Sequence, residues 1–487
     1  MRRYVRFLQQ TLGDKDETVE VSIEVSHWLD ETARALAEVR PLLGGDPVTA
    51  EQRYESLALL GQAASHCRET VYKQEGFSAK DTQSMRAITD MLDDALAAID
   101  HSIANNRRED GLYDAYNLLN QGSGTVEVDP LYKMLEGQVA VLSAGAIEAQ
   151  DAIEVLEALF ASDVYRPDQH SFMLYPDREL PGFLEKNRIP AEALEAVPVL
   201  QRMLAEGDDR IVTCDAEGTY RFHADFVNVG ALKARLDSLA PQFGDELEAA
   251  RGVLLELYET VFDHKSFTGR SGGMFGFEGL GCIYWHMVSK LLLAVQENFF
   301  AALDGDSDSA TCRRLGELYY RVRKGIGFNK TPGEFGAFPT DPYSHTPGDA
   351  GARQPGMTGQ VKEEILSRFG ELGVRVSDGI AQFEPALLRR REFVTESKQL
   401  RFLDVDGEWQ NLEVPPASIA FTWCQVPIIY ELIEEGEPSL TVTLSNHEEQ
   451  SFSQLVLPAE QSSELFLKSG RIRQIRARIR TNTLFAE

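Results

Sequence analysis

The chain has 487 residues, enough for about two to four domains and for a large core that needs no disulfide staples. Hydrophobic residues make up 43% and charged residues 26%, a composition typical of water-soluble globular proteins. With 48 Lys and Arg against 77 Asp and Glu, the net charge of −29 argues against DNA, RNA or an anionic membrane surface as a general partner.

The cysteines and the N-terminus indicate a reducing compartment. The five cysteines are scattered and form no CxxC pair, so neither a disulfide framework nor a cysteine zinc site is predicted. The N-terminus has no apolar run long enough for a signal peptide, and no stretch approaches the ~20 apolar residues of a membrane span. We therefore expect a cytoplasmic protein, and the sequence shows no metal-ligand spacing, so no metal site is predicted.

Helical periodicity dominates residues 17–378. Apolar residues recur at three- and four-residue steps, and long loops rich in Gly, Pro and aromatic residues separate these segments. This succession is typical of stacked helical hairpins, as in an α/α barrel or toroid. The predicted helices cover residues 50–72, 84–104, 147–160, 245–263, 282–303 and 310–324.

Strand signals are found in two places. Residues 209–223 predict a β-hairpin that turns at Glu217-Gly218. After a helical region of 1–379, residues 380–487 carry short β-branched segments between turns and predict a small C-terminal β-sandwich domain. Near its end, the alternating RIRQIRARIR favours an edge strand over a basic anion-binding patch. The predicted strands are 418–422, 427–432, 439–444 and 453–457.

Carboxylates cluster in the loop 105–121, NNRREDGLYDAYNLLNQ, which contains Glu109, Asp110 and Asp114. Partial burial among aromatic residues can raise the pKa of a carboxyl until it serves as a general acid on a glycosidic bond. The structural alternative is that Asp110 caps the N-terminus of a helix that starts near Leu112.

Two further loops suit an anion. Residues 264–298 run from a Gly-rich front into an apolar helix with His286 in its first turns, where backbone N–H groups favour an anion. The alternative for this residue is a satisfied core histidine. Residues 335–366 end at Thr358-Gly359 before a helix, so Thr358 either caps that helix or, with Gly359, contacts a bound anion.

The loop 165–187 suits a carbohydrate. It places several aromatic residues beside Arg166, Asp168 and Gln169. Rings can stack on the C–H faces of a sugar, and bidentate polar groups can bind its hydroxyls. The alternative is a polar loop that only connects two helices.

The order of these loops resembles the C-terminal half of the inverting β-glucan phosphorylases of the cellobiose-phosphorylase type. An acid loop is followed by a Gly-rich loop into a His-bearing helix, and then by Thr-Gly before the last helix. The nearest branch is the β-1,3-oligoglucan phosphorylases of glycoside hydrolase family 149, and the resemblance covers about residues 100–390. It implies an (α/α)6 barrel followed by a small C-terminal β domain.

The same resemblance implies phosphorolysis of β-glucan oligosaccharides to α-glucose 1-phosphate and a shortened glucan, with inorganic phosphate as co-substrate and no cofactor. It implies that Asp110 is the general acid and that His286, Thr358 and Gly359 bind phosphate. Glu109 remains a rival acid, because the sequence here is Arg-Glu-Asp-Gly rather than the Gly-Asp-Trp-Asn-Asp of the smaller enzymes. The expected substrate-binding residues are Glu278, Arg270, Arg166, Asp168, Gln169, Tyr343, His345 and Gln354.

The family also has an N-terminal β domain and earlier barrel helices, so the chain is expected to be a C-terminal half with an incomplete barrel. Its expected partners are an oligosaccharide, phosphate, and either a separate N-terminal half or a second copy of the chain. Two other functions stay open. An inverting glycoside hydrolase would need a second carboxylate for water, such as Glu278 or Asp341. A non-catalytic glycan-binding protein would tolerate the loss of Asp110.

Overall fold

The computed structural model describes residues 1–13, 16–45, 47–176, 181–263, 283, 285–305, 307–326 and 361–486. The α-helices in this part of the chain are α1 (Arg2–Leu12), α2 (Ile23–Val39), α3 (Ala50–Lys73), α4 (Met85–Asn105), α5 (Leu135–Ala144), α6 (Ala149–Ala161), α7 (Phe183–Lys186), α8 (Ala191–Glu195), α9 (Pro198–Ala205), α10 (Val229–Phe262), α11 (Trp285–Asp304), α12 (Ser309–Lys324), α13 (Val361–Glu371) and α14 (Ala459–Phe466).

The β-strands of the same residues are mostly short. They are β1 (Thr18–Ser22), β2 (Lys80–Ser84), β3 (Leu118–Gln121), β4 (Val126–Asp129), β5 (Tyr165–Arg166), β6 (Ser171–Phe172), β7 (Val212–Cys214), β8 (Tyr220–Phe222), β9 (Val374–Ser377), β10 (Ile380–Phe383), β11 (Lys398–Leu403), β12 (Trp409–Val414), β13 (Ser418–Trp423), β14 (Val426–Ile433), β15 (Ser439–Leu444), β16 (Glu449–Phe452) and β17 (Ile472–Arg480).

The prediction of a mainly α chain built on an (α/α)6 toroid is wrong. The structure is 50% helix and 21% strand, and in its described residues antiparallel strand pairs lie between helices in both units. The pair β1–β2, for example, brackets helices α2 and α3 and joins Thr18 to Ser84. The sequence of β2, KDTQS, has no apolar alternation, so periodicity could not reveal it. A C-terminal sheet domain does agree with the prediction.

The chain divides into two compact units. One consists of Met1–Pro176 together with Ile283–Glu487, and the other of Asp177–Cys282. The second unit therefore interrupts the first along the chain, a division that the helical pattern did not reveal. The predicted boundary between residues 379 and 380 remains a prediction.

The predicted helices are confirmed to within a few residues at most ends. The exception is α10, which starts at Val229 and includes a break at Gly244, where φ is +52°, three residues after Pro241. Pro removes a helical N–H and Gly tolerates a left-handed backbone, so the two residues together interrupt α10. None of the described helices combines the length and the apolar character that crossing a bilayer requires.

Helices α5, α6, α11 and α12 of the first unit share one hydrophobic core. Helix α6 contributes residues at three- and four-residue steps, among them Ala152, Val155, Leu156 and Leu159, each fully or almost fully buried. A buried amide locks two of these helices together, because Asn298 Nδ2 on α11 donates to the backbone carbonyl near the end of α5 at 2.8 Å. The core thus fixes the ends of these helices, from which the candidate site loops extend.

The C-terminal part contains a five-stranded sheet in the order β13-β14-β17-β15-β16. The prediction that RIRQIRARIR is an edge strand is wrong, because β17 lies in the centre, parallel to β14 and antiparallel to β15. Its inward residues, such as Ile475 and Ala477, are fully buried, while outward Arg476 pairs with Glu431 on β14 at 3.2 Å. An alternation of apolar and polar residues indicates that one face of a strand is buried. It does not indicate whether the strand has neighbours on both sides. The predicted segment 453–457 is not a strand.

The unit Asp177–Cys282 has its own core, which α8, α9, α10 and the β7–β8 hairpin enclose. The hairpin confirms the sequence prediction, and Gly218 has a φ of +82° at its turn. The side chain of Asn187 is buried and acts as a clamp on β8. Its Oδ1 accepts from the N–H of Phe222 at 2.9 Å, and its Nδ2 donates to the carbonyl of Phe222 at 2.8 Å.

Candidate active site

The loop that follows α4 folds back on itself. Residues Arg107 and Tyr113 form an antiparallel bridge, and between them the N–H of Arg108 donates to the carbonyl of Leu112 at 2.8 Å. The tip of this acid loop, which we define as residues 106–114, is a tight turn at Asp110-Gly111. The interpretation of Asp110 as a helix N-cap is wrong, because no helix follows and Asp110 Oδ1 accepts instead from the N–H of Leu112 at 3.3 Å.

The base of the acid loop is anchored in the core of the first unit. Leu112 and Tyr113 are both buried, and the fully buried side chain of Gln138 on α5 holds both backbone groups of Tyr113. Gln138 Oε1 accepts from the N–H of Tyr113 at 2.8 Å, and Nε2 donates to its carbonyl at 2.8 Å and to that of Met134 at 2.9 Å. The loop therefore has a rigid base that presents Asp110 outward.

The carboxylate of Asp110 is exposed and lies between two cations. Arg108 Nε is 3.2 Å from its Oδ1, and Lys133 Nζ is 3.7 Å from its Oδ2. Lys133 Nζ also lies 2.7 Å from Oδ1 of Asp163, immediately after α6. Asp114 pairs with Arg108 at 2.7 Å, and its hydrogen bond is the largest factor that raises the pKa of Arg108. Glu109 is exposed at the same turn.

The predicted sugar-binding loop 165–187 begins as a short hairpin of β5 and β6. Arg166 and Asp168 form a bidentate pair across its turn, with Nε–Oδ1 at 3.1 Å and Nη2–Oδ2 at 2.6 Å. This hydrogen bonding from Arg166 is the main cause that holds the pKa of Asp168 below its ordinary value. Gln169 follows directly, so the three residues are adjacent, but a bidentate hydrogen bond to a sugar from Arg166 or Asp168 would require this pair to open.

A close backbone approach fixes this hairpin to the end of α12. His170 has a left-handed φ of +50°, and a Cβ added at Gly325, just after α12, would lie 2.2 Å from the carbonyl oxygen of His170. Only glycine fits there without a backbone shift. A non-glycine residue in the left-handed region costs free energy, and such conformations cluster at ligand-binding sites.

Backbone contacts bring three of the predicted elements to one end of the helices. Leu135 N, at the start of α5, donates to the carbonyl of Leu174 at 2.7 Å, and Met173 forms a β-bridge with Ile283, just before α11. His286 lies in the first turn of α11, as predicted, and its carbonyl accepts from Ser289 Oγ at 3.0 Å. The acid loop, the β5–β6 hairpin and the start of the His286 helix therefore adjoin the N-terminus of α5.

Several predicted site residues lie outside the described residues, and their roles stay predictions. Within the described ranges, no group of three or more His, Cys, Asp or Glu side chains could hold a metal ion. The predicted residues that the structure does not describe are Arg270, Glu278, Asp341, Tyr343, His345, Gln354, Thr358 and Gly359.

Sequence reasoning missed three residues. Gln138 holds the backbone of the acid loop, Lys133 pairs with Asp110, and Asp163 pairs with Lys133. Gln138, Lys133 and Asp163 lie 28, 23 and 53 positions from Asp110, respectively, and none belongs to a recognisable pattern. They come together near the loop only through the packing of α5, of the segment before it and of the residues after α6. A one-dimensional signal could not have found them, since an isolated Lys, Asp or Gln in a helical region is usually a surface residue.

Comparison with known families matches a segment of the chain that lies outside the acid loop. Residues 180–265 match the family model described as GH149 phosphorylase insertion domain 2. The match supports a relationship to the GH149 phosphorylases. It falls within the unit Asp177–Cys282, whose position in the chain agrees with the description of an insertion. No curated protein matches the chain.

Proposed function

We propose that this protein is a glycoside phosphorylase that cleaves β-glucan oligosaccharides with inorganic phosphate and inversion at the anomeric carbon. The match of residues 180–265 to a GH149 phosphorylase insertion domain carries the proposal. The placement of Asp110 and His286 in elements that adjoin one end of the same helices is consistent with a shared site.

In this mechanism Asp110 is the general acid. It donates its proton to the glycosidic oxygen as the bond from that oxygen to the anomeric carbon breaks, and phosphate attacks the same carbon from the opposite face. Phosphate is already nucleophilic, so the site needs no catalytic base, only donors that hold the phosphate in line. We assign this role to His286, Thr358 and Gly359. The products are α-glucose 1-phosphate and a glucan that is one unit shorter.

The sugar-binding roles are proposed for the residues with suitable polar groups near this chemistry. On the described hairpin, Arg166 and Asp168 would exchange their mutual pair for sugar hydroxyls, and the Gln169 amide would likewise turn to the sugar. The remaining proposed contacts are Arg270, Glu278, Tyr343, His345 and Gln354.

The first experiment measures glucose 1-phosphate release from laminari-oligosaccharides and cello-oligosaccharides, with and without phosphate. We expect phosphate-dependent release, and we expect Asp110→Asn to lower it by about 10²–10⁴-fold, the usual contribution of a general acid. Glu109→Gln is the matched control at the same turn and should remain active. The α configuration of the product, read by NMR, tests inversion.

Each other outcome assigns a different function. Loss of activity in Glu109→Gln with activity kept in Asp110→Asn would make Glu109 the acid. Sugar release that is independent of phosphate would identify a hydrolase. Oligosaccharide binding without any release, and unchanged in Asp110→Asn, would identify a glycan-binding protein.

A further inference from the structure

Lys133 is a cation that two carboxylates share unequally. Its Nζ lies 2.7 Å from Oδ1 of Asp163 and 3.7 Å from Oδ2 of Asp110. The backbone that carries it is fixed, because the next residue, Met134, is buried and the N–H of Leu135 bonds to the carbonyl of Leu174. The carboxylates of Asp110 and Asp163 are both exposed, so a shift of the Lys133 ammonium from one to the other would not disturb the buried core.

The other cation at Asp110 is more firmly held. Arg108 lies on the same loop as Asp110, and its Nη1 is paired with Asp114 at 2.7 Å while its Nε reaches Asp110 Oδ1 at 3.2 Å. Its guanidinium is therefore held by two carboxylates of its own loop. Of the two cations, Lys133 is the one whose distance to Asp110 can shorten, because its strong partner lies on another segment.

We propose that Lys133 is a positioning residue that stabilises the carboxylate of Asp110 as this group gives up its proton. The inference rests on the proposed function, in which Asp110 changes from a neutral acid to an anion. A cation at 3.7 Å stabilises the anion more than the neutral acid, so it favours the transition state over the ground state.

Asp163 determines how strongly the charge of Lys133 acts on the Asp110 carboxyl before the reaction. A general acid has to carry its proton when the substrate binds, and an ammonium placed wholly on Asp110 would keep that carboxyl ionised. Because Asp163 holds Lys133 at 2.7 Å, the cation is withdrawn from Asp110 but remains near enough to move toward the new charge. Together, Lys133 and Asp163 allow Asp110 to hold its proton before the reaction and stabilise its carboxylate after the proton has left.

This balance predicts opposite shifts for two substitutions. Activity falls at high pH because the acid loses its proton, so the alkaline limb of the kcat/KM profile reports on Asp110. Lys133→Met should move this limb to higher pH by about half a unit and lower the limiting kcat about three- to fivefold. Asp163→Asn releases Lys133 toward Asp110 and should move the limb to lower pH. Lys133→Arg should restore the wild-type limb.

A matched control removes a different cation from the same loop. Arg107 pairs with Asp151 at 3.3 Å and Glu154 at 2.9 Å, both on α6, so its guanidinium is directed to that helix rather than to Asp110. Arg107→Met should therefore leave the alkaline limb in place. The thermal midpoint of every variant, measured alongside, shows that the compared proteins are folded.

Shifts of the same sign in Lys133→Met and Asp163→Asn, or no shift in either, would overturn the proposal and make Lys133 a structural residue. Because Asp163→Asn and Lys133→Arg each test the inference, it stays falsifiable if Lys133→Met does not fold. Failure of the proposed function is seen separately, since the wild-type protein would then release no glucose 1-phosphate at any pH.

Discussion

Two tight turns in different units of the chain are built alike and leave their Asp side chains in different states. In the β7–β8 turn, Asp215 Oδ1 accepts the N–H groups of Glu217 and Thr219 at 3.1 and 2.7 Å, and Oδ2 accepts Arg221 at 2.9 Å. In the acid loop, Asp110 accepts one backbone N–H at 3.3 Å and the Arg108 Nε–H at 3.2 Å, and Lys133 Nζ lies 3.7 Å away. Both oxygens of Asp215 are therefore engaged in short hydrogen bonds within the hairpin. The contacts of Asp110 are fewer and longer, so its carboxylate can still accept a proton and contact a ligand.

The comparison extends to the buried amides beneath both turns. Gln138 holds the N–H and carbonyl of Tyr113, and Asn187 holds those of Phe222, with every distance at 2.8 or 2.9 Å. The two turns are thus anchored by the same kind of buried amide contact. What distinguishes a candidate catalytic Asp from a structural one is the set of partners at its own carboxylate, not the fold of the turn around it.

The largest effect is expected from loss of these amide clamps. Gln138→Leu leaves the buried N–H and carbonyl of Tyr113 without that partner, which should lower the free energy of unfolding by about 2–5 kcal/mol. Asn187→Leu makes the same change at Phe222 and should cost a similar amount. Urea unfolding measures both. If Asn187→Leu were costly and Gln138→Leu nearly neutral, the acid loop would not share the rigid base of the β7–β8 turn.

Under the proposed function these two variants differ in activity. Gln138→Leu loosens the base from which Asp110 is presented, so kcat should fall even under conditions in which the protein remains folded. A kcat that is unchanged in folded Gln138→Leu would show that the acid does not depend on this anchor.

The sequence was sufficient for features that a single segment determines. The helix 147–160 and the hairpin around Gly218 follow from local periodicity and turn chemistry, and both agree with the structure. Features that depend on distant partners were not predictable. The central position of β17 depends on where β14 and β15 lie, and the pairing of Asp110 with Lys133 depends on the packing of the segment before α5.

A medium effect on the free energy of unfolding is expected from substitution of the two glycines of the turns. Gly111 and Gly218 have φ values of +80° and +82°, which an L-residue adopts only at a cost. A Cβ at Gly111 would lie 3.5 Å from Cβ of Ala158, an ordinary contact, and one at Gly218 would meet open space. Substitution by Ala should therefore cost about 1 kcal/mol at either site, from the backbone alone.

Unfolding and activity measurements on Gly111→Ala and Gly218→Ala distinguish an effect on stability from an effect on catalysis. Equal losses of stability, with a lower kcat only in Gly111→Ala, would support the contrast between the turns. A much larger loss in Gly111→Ala would mean that the acid loop packs more tightly against α6 than the β7–β8 turn packs against its surroundings.

The smallest effect concerns the pH dependence of stability at Asp215. The N–H of Thr219 first, and Arg221 after it, hold the pKa of Asp215 below its ordinary value of about 3.9. The unfolded chain thus binds a proton more readily than the folded one, so this stabilisation is complete above about pH 4 and is lost as pH falls further through the lowered pKa. The destabilisation caused by Asp215→Asn should accordingly shrink between about pH 4 and pH 2. Arg221→Met should keep most of the pKa shift in an NMR titration, because the backbone N–H is the larger cause, and a return to the ordinary pKa in that variant would show that the arginine, not the turn, controls this carboxylate.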